Sequence, residues 1–501
     1  VTPPPVTQYL IALLPEIVLS VWAMVVLLVD VFQKGDRSGP SRSSITMLVA
    51  VGLVLAGAAN LYLTTLPVGE MAGNVAIDGF RIFTNFVFLL AVAFFLLISD
   101  RYLTQENLRL GELYVLVLFA TVGMMVFAGT TDLMLIFIGL ELMSVPVYVL
   151  TGVNRRDVRG AEGALKYFLL GAFSSAFFLF GVALVFGTTG TTNLGAIAQS
   201  IGVDGIGASR LLVVGVALLA VGFGFKVAAV PFHMWTPDAY EGAPAPIAGF
   251  MAAAVKAAAF AAFLRVFLTA FPGLYDTWDA IAIWLAILTM VAANLVALVE
   301  GNVKRMLAYS SIAHAGYLLV ALAAASALGV ASFLFYSLVY TIMTMGAFAV
   351  VIVVAGRQEG RLDLDAYSGL GWKRPLLGTA MTVFLLSLAG FPFTAGFIGK
   401  VFLLRAAVER GLVLLAVVLV LASLVSYWYY LRLAWYMWFR EPNGTTAEVA
   451  ELSAGLRVGL ATAAIVIVVL GVFPGALLGL VERSAATLLR LPAATMGLML
   501  P

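Results

Sequence analysis

Apolar residues run along this chain in stretches of about twenty, the length an α-helix needs to cross a hydrocarbon layer of roughly 30 Å. The first half gives such stretches at 9–32, 43–66, 79–99, 110–128, 131–153, 162–187 and 209–231, and the second half at 246–271, 277–299, 303–326, 328–355, 377–404, 411–439 and 456–480. The pattern predicts an all-α polytopic membrane protein of about 14 transmembrane helices. An even number places both termini on one side. With residues in the end turns of spans counted to the adjoining loops, lysines and arginines divide seventeen to six between the two sets of alternating loops, with five more deeper inside spans, and the richer set is expected to face the cytoplasm. Both termini are therefore expected outside the cytoplasm, and the first span is expected to be retained.

Composition agrees with that class: 63% of residues are hydrophobic and 11% charged, with a mean hydropathy of +1.07. The chain has no cysteine, which excludes disulfides, thiolate zinc sites and cysteine-ligated iron–sulfur clusters. Two histidines, His233 and His314, are too few for a multi-histidine metal site. No stretch reads as a soluble catalytic module, and nothing points to nucleic acid.

Against this background the charges inside spans can be weighed one at a time. Lys226 lies in the apolar run from Leu218 to His233, five residues before Pro231, so that an ammonium group and a helix break fall together. Lys256 sits among alanines in the next span. Glu141 is midway along the fifth, with Pro146 just beyond it. A lone acid in a span can be a protonated carboxyl satisfied by a neighbouring hydroxyl, but two intramembrane lysines stand here as partners, and a Glu141–Lys226 pair is expected. Lys400 closes a second interrupted helix, after Gly390, Pro392 and Gly396. His314 shares a helix face with Ser310 and Tyr317. It suits either a hydrogen-bonded packing role or a proton relay among the lysines.

The seventh and twelfth spans are both interrupted and both carry a lysine. Two broken helices five spans apart point to duplicated halves, spans 4–8 and 9–13, and an odd number of helices per repeat makes the two inverted. The domain reading follows: 1–109 is a three-helix segment, 110–271 the first five-helix repeat, 272–439 the second, and 440–501 a C-terminal helix. Glu16, near a membrane surface, reads as structural or as a contact to another subunit. The aromatic residues at Tyr427–Tyr430 and Trp435–Trp438 read as interfacial anchors. The Asn443–Thr445 sequon falls on a loop assigned to the inside and carries no weight.

The runs Leu135–Ser144, Phe225–Tyr240, Lys304–Tyr317 and Ala395–Lys400 together resemble the antiporter-like proton-pumping family of respiratory complex I, over nearly the whole chain. The resemblance implies a proton-translocating membrane-arm subunit of an NADH-quinone oxidoreductase in a bacterial plasma membrane. It implies Glu141, Lys226, Lys256 and Lys400 as principal proton-path residues, with His314 as a weaker member. NADH, FMN, iron–sulfur clusters and quinone are then expected in partner subunits, with none in this chain. The expected neighbours are an adjacent antiporter-like subunit, M, and the small subunit K. A lysine at 400 departs from the M-type pattern, and no long lateral helix of the L type follows the last span. A multi-subunit cation/proton antiporter or a membrane-bound hydrogenase would share the same lysines. An inert membrane scaffold has no need of intramembrane charge, and a solute carrier would need polar groups for its substrate that are not seen here.

Overall fold

The computed structural model describes residues 6–32, 43–71, 73–106, 108, 111–203, 207, 209–356, 359–442 and 452–496. Lys34, Arg37, Arg42, Arg109, Arg357 and the sequon at Asn443, all used in reading the loops, lie outside them. Val6–Ala12 (α1) leads into Leu14–Phe32 (α2) and Ser43–Tyr62 (α3). A two-stranded antiparallel hairpin, Gly69–Met71 (β1) with Val75–Ile77 (β2), precedes Gly79–Gln105 (α4). Gly111–Gly129 (α5), Leu133–Thr151 (α6), Val158–Thr189 (α7) and the short Leu194–Val203 (α8) follow. Arg210–Lys226 (α9) stops at its lysine, and Trp235–Gly242 (α10) resumes beyond it. Ala245–Phe250 (α11), a π-helical turn at Met251–Val255 and Lys256–Ala270 (α12) form one continuous rod.

The second half opens with Tyr275–Val299 (α13), Val303–Ala324 (α14) and Ala327–Ala355 (α15). Leu370–Lys373 (α16) is a single turn. Pro375–Ala389 (α17) and Ala395–Glu409 (α18) are the halves of a broken helix, followed by Val413–Phe439 (α19), Ala454–Val472 (α20) and Gly475–Met496 (α21). Among the described residues, twelve helical stretches are long and apolar enough to cross a membrane. The two interrupted stretches are not counted among them, because α9, α17 and α18 have only 17, 15 and 15 residues. The apolar run 456–480 is not one helix. Pro474 lacks a backbone donor, so α20 ends at Val472 and α21 starts afresh. The buried residues of α21, Val481, Ser484, Ala485 and Leu488, follow a helical period, and this face packs on α4, α12 and α15.

Short polar contacts tie the turns at each end. On one face, the hairpin face, Val75 bridges Thr130 and Asp132 bridges Asn193; on the other, the Asn154 face, Asn302 bridges Asp363. Caps start the helices there. Asp132 accepts from the amides of Met134 and Leu135 at 2.9 and 3.2 Å, and Asn302 from those of Lys304 and Arg305 at 2.9 and 3.2 Å. Packing between spans relies on close approach: a side chain at Gly123 of α5 would meet the backbone nitrogen of Met143 in α6 at 2.3 Å.

Burial locates the centre of the molecule. The rod 245–270 is 100% buried and α14 and α15 nearly so, whereas α2 and α20, at 28%, lie on the periphery. Two ion pairs are buried near the hairpin face. Arg265 of α12 makes a forked contact with Asp78 at 2.7 and 3.1 Å and also donates to the Ala128 carbonyl at 2.6 Å. Arg81 meets Glu16 at 2.7 Å, which gives Glu16 a structural partner within its own chain. Removing one member of a buried pair leaves an uncompensated charge and typically costs about 3–5 kcal/mol. Asp78→Leu should therefore lower the thermal midpoint of the assembled protein more than the double variant Asp78→Leu/Arg265→Leu does, as read from unfolding curves in detergent.

Candidate functional site

The first centre forms where α9 ends. After Lys226 the chain leaves the helix, with Ala228 in the left-handed region at φ 61°, and the amide of Val230 donates to Thr289 of α13 at 2.9 Å. Pro231 has no amide to continue the ladder, so the segment cannot rejoin the helix before α10. Lys226, 3% exposed, donates to Ser144 Oγ at 2.7 Å and to Tyr148 OH at 2.9 Å, both on α6. Its ammonium also lies 5.3 Å from the Tyr148 ring centre and 5.7 Å from that of Phe225.

Glu141 does not pair with it. Among the described residues no ion pair joins Glu141 to Lys226; the half-buried carboxylate instead accepts a short hydrogen bond from Ser175 of α7. The reason is register: Ser144 and Tyr148 lie about one and two turns beyond Glu141 on α6, where they reach the lysine, while Glu141 turns toward α7. The expected direct pair becomes a polar patch on α6 with the acid at one end and the lysine at the other.

At the second centre the π-helical turn inserts an extra residue just before Lys256, which re-aims the side chains that follow it. Lys256, 2% exposed, donates to the Ser311 carbonyl at 2.7 Å and to Ser311 Oγ at 2.5 Å on α14. Tyr240 and Tyr340 lie close to Ser311. Between the first two centres stands a continuous aromatic series. Tyr148 meets Tyr167 edge-on at 4.6 Å, Tyr167 stacks on Trp235 at 4.0 Å, and Trp235 meets Tyr240 at 6.2 Å.

One turn beyond Ser310 on the same helix, His314 is bonded at both ring nitrogens. Nδ1 lies 2.8 Å from Tyr336 OH and Nε2 3.1 Å from Tyr430 OH, and Tyr430 also shares a short hydrogen bond with Ser310. His314 is thus both well packed and part of a hydroxyl chain, within electrostatic reach of Lys256 and Lys400. Tyr429 and Tyr430 are fully buried, so the reading of this cluster as interfacial anchors is corrected for these two; Trp428 and Trp435 do face outward, at 65% and 57% exposure.

The third centre is the second helix break. α17 ends at Ala389, whose carbonyl accepts from Lys400 Nζ at 2.8 Å, and the ammonium lies 4.6 Å over the Tyr317 ring. A helix C-terminus presents unsatisfied carbonyls and partial negative charge, which suits a cation. Gly390 turns the chain at φ 87°, and a side chain there would meet Lys400 Cδ at 2.8 Å. Tyr427 donates to the Gly390 carbonyl at 2.9 Å.

Among the described residues none of Lys226, Lys256 and Lys400 has a carboxylate partner, and no group of three metal-binding side chains occurs. Neutral oxygens hold all three ammonium groups. Such a chain of amines, hydroxyls and one imidazole can accept and release protons. The structure adds Ser144, Tyr148, Ser175, Ser311, Tyr336 and Tyr430 to the sequence-predicted set. Tyrosines inside apolar stretches were the signal for the hydroxyls, though spacing alone does not say which lysine each one meets.

A family model described as NADH:quinone oxidoreductase/Mrp antiporter, TM, matches residues 130–426, the region that contains all of these groups except Tyr430. The NADH-quinone oxidoreductase subunit N of Trichlorobacter lovleyi is 46% identical over 472 residues, covering 94% of this chain and 96% of that one. A chain of respiratory complex I from Thermus thermophilus, solved with bound aureothin, superposes with a TM-score of 0.79 at 36% identity, covering 93% of this chain and 98% of that one. A chain of the Mrp complex from a Dietzia species, at 22% identity, shares the fold with a TM-score of 0.83, covering 98% of this chain and all of that one.

The geometry makes Gly171 a sensitive position. A side chain there would lie 2.1 Å from Tyr148 OH, so Gly171→Ala must push the hydroxyl away from Lys226. The variant is expected to assemble and to lose the Tyr148–Lys226 hydrogen bond, seen as a displaced tyrosine in a structure of the variant complex; an unmoved Tyr148 would count against the close fit.

Proposed function

The chain belongs to the NADH:quinone oxidoreductase/Mrp antiporter membrane family, among relatives named NADH-quinone oxidoreductase subunit N, and from that premise we propose that it is a proton-translocating membrane-arm subunit of such an enzyme. The observation that carries this reading is the row of three buried ammonium groups, each held by neutral oxygens, with His314 and tyrosine hydroxyls between them. A group that keeps a proton without a fixed counter-charge can pass it on when the local field changes, whereas a structural cation of this fold, Arg265, has its carboxylate.

In this reading Glu141 is the sensor. Its carboxylate lies half-buried at the outer flank of α6 and α7, where a charge change in a neighbouring subunit would alter its hold on Ser175 and, through Ser144, the environment of Lys226. Proton transfer then runs from Lys226 to Lys256 and through the His314 hydroxyls to Lys400, with water bridging the gaps. Redox chemistry takes place elsewhere. NADH, FMN, iron–sulfur clusters and quinone belong to partner subunits, and the expected membrane neighbours are the antiporter-like subunit M and the small subunit K. Counting α9–α10 and α17–α18 as interrupted spans brings twelve to fourteen, with spans 4–8 and 9–13 as inverted repeats; the Asn154 face is then cytoplasmic and both termini lie outside it. A part in a cation/proton antiporter shares the fold with the Mrp chain, but the 46% identity lies with the NADH-quinone oxidoreductase relative.

Two substitutions test the reading in the intact complex reconstituted in vesicles. Lys226→Ala should leave NADH oxidation measurable and reduce proton translocation by about tenfold or more, equivalent to about 1.4 kcal/mol on the limiting barrier. Acidification at the unmodified rate per NADH would count against the relay. At Glu141, replacement by Gln should impair pumping more than replacement by Asp, because only Asp keeps a charge for the neighbouring subunit to act on. Equal pumping by the two variants would remove Glu141 as the sensor.

A further inference from the structure

A second buried charge cluster lies near the Asn154 face, apart from the three lysine centres. Lys304, at the start of α14, is fully buried and pairs with Glu359 at 2.5 Å. Its ammonium also donates to the carbonyls of Ala243 at 2.5 Å and Glu241 at 2.9 Å. The second oxygen of Glu359 accepts from Tyr102 OH at 2.5 Å and from the amide of Ala245 at 2.7 Å. That amide opens the rod that carries Lys256. One carboxylate therefore joins α4, the rod and α14.

Glu359 forms part of the wall of a polar cavity of about 270 Å³, which Arg156, Asp157 and Arg159 line from the α6–α7 turn. The cavity has room for several waters, and Glu359, 9% exposed, is buried at its edge. A purely structural pair needs no such opening. The cluster also connects inward. Lys304 and Ser311 are seven residues apart on α14, two turns and about 10 Å along the same face, and Ser311 is the partner of Lys256. The short helix α10 spans the same interval: Tyr240 lies close to Ser311, while the carbonyl of the next residue, Glu241, receives Lys304. On α15, Tyr340 faces Ser311 and Thr344, adding hydroxyls near the inner end.

We propose that Glu359, poised by Lys304 and Tyr102, is the proton-loading group of the path to Lys256: it takes a proton from water in this cavity and delivers it through bridging water to the Lys256 amine. The step needs no redox partner. A carboxylate gains a proton from hydronium, and the resulting carboxyl returns it to an amine about two helical turns away. The inference rests on the proton translocation proposed above and adds its entrance.

The test uses the intact complex in vesicles, with membrane potential read per NADH oxidised. Glu359→Gln keeps an oxygen for Ala245 and Tyr102 and loses only the exchangeable proton and the charge. It is expected to assemble and to form the potential at least about fivefold more slowly than the unmodified complex, a change of about 1 kcal/mol. In Glu359→Ala, or in the Gln variant itself should the alanine variant not assemble, millimolar formate is expected to restore much of the rate, because a small diffusible acid can donate in place of the missing carboxyl. Unchanged potential formation in Glu359→Gln, its failure to assemble, or a loss that formate does not relieve would each overturn the proposal, the last two by assigning the pair a structural role. Lys226→Ala measured in the same vesicles separates the two claims. Normal translocation there overturns the relay as a whole, whereas its loss beside an unaffected Glu359→Gln overturns the entrance alone.

Discussion

Three ammonium groups buried in an apolar core, with no carboxylate beside them among the described residues, set the constraint to which the interior conforms. An isolated charge in such surroundings is costly unless hydrogen bonds replace its hydration, and in a membrane the backbone supplies those bonds most readily where a helix is interrupted. The breaks serve this need in two ways. At Lys400 the carbonyl freed at the end of α17 accepts directly. At Lys226 the lysine is the last residue of its own helix, and α6 supplies a serine and a tyrosine. Lys256 has no break, and a π-helical turn precedes it while Ser311 provides both its acceptors. Three local solutions meet one electrostatic requirement.

The contrast with the rest of the charge in the fold sharpens this. Arg265, Arg81 and Lys304 are as deeply buried as the three lysines, yet each has an acid in contact and further oxygens around it. Those pairs lie toward the ends of the helices and join elements distant in sequence: α2 to α4, the residue before α4 to α12, α14 to the loop after α15. The pairs of Arg265 and Arg81 therefore hold the scaffold, that of Lys304 borders the polar cavity near the Asn154 face, and the unpaired charges occupy the middle of the molecule, where α12 and α14 are almost wholly enclosed. Small residues make the enclosure possible, as at Gly171, which leaves room for the Tyr148 hydroxyl.

Much of this was legible in the sequence, because a charge in an apolar run and a proline beside it are local signals. Lys226 with Pro231 and Lys400 with Pro392 marked both breaks, and Glu141, Lys256 and His314 stood out for the same reason. Partner choice was not legible, since it depends on register between helices. The Glu141–Lys226 pair was expected from proximity in kind, but three and seven residues along α6 placed Ser144 and Tyr148 at the lysine instead. Tyr429 and Tyr430 were read as interfacial because they share a run with Trp428, and a helix turns neighbours to different sides: the tyrosines point inward and the tryptophan out. The pairs Asp78–Arg265 and Glu359–Lys304 join residues 187 and 55 positions apart, a separation that no local pattern encodes. Helices α20 and α21 share one apolar run in the sequence, and Pro474 is the local signal that separates them.

If the three centres form one route, protons cross the aromatic series between Tyr148 and Tyr240, where rings stack and few hydroxyls point. The most direct measurement is a cryo-EM map of the complex in a lipid nanodisc, at a resolution that shows ordered water, inspected along the line from Lys226 through Lys256 to Lys400. The account predicts water density that links the Tyr148 hydroxyl to the Tyr240–Ser311 cluster and continues past His314 to Lys400. A dry, fully packed interval between Tyr148 and Tyr240 in every state of the working complex would contradict it.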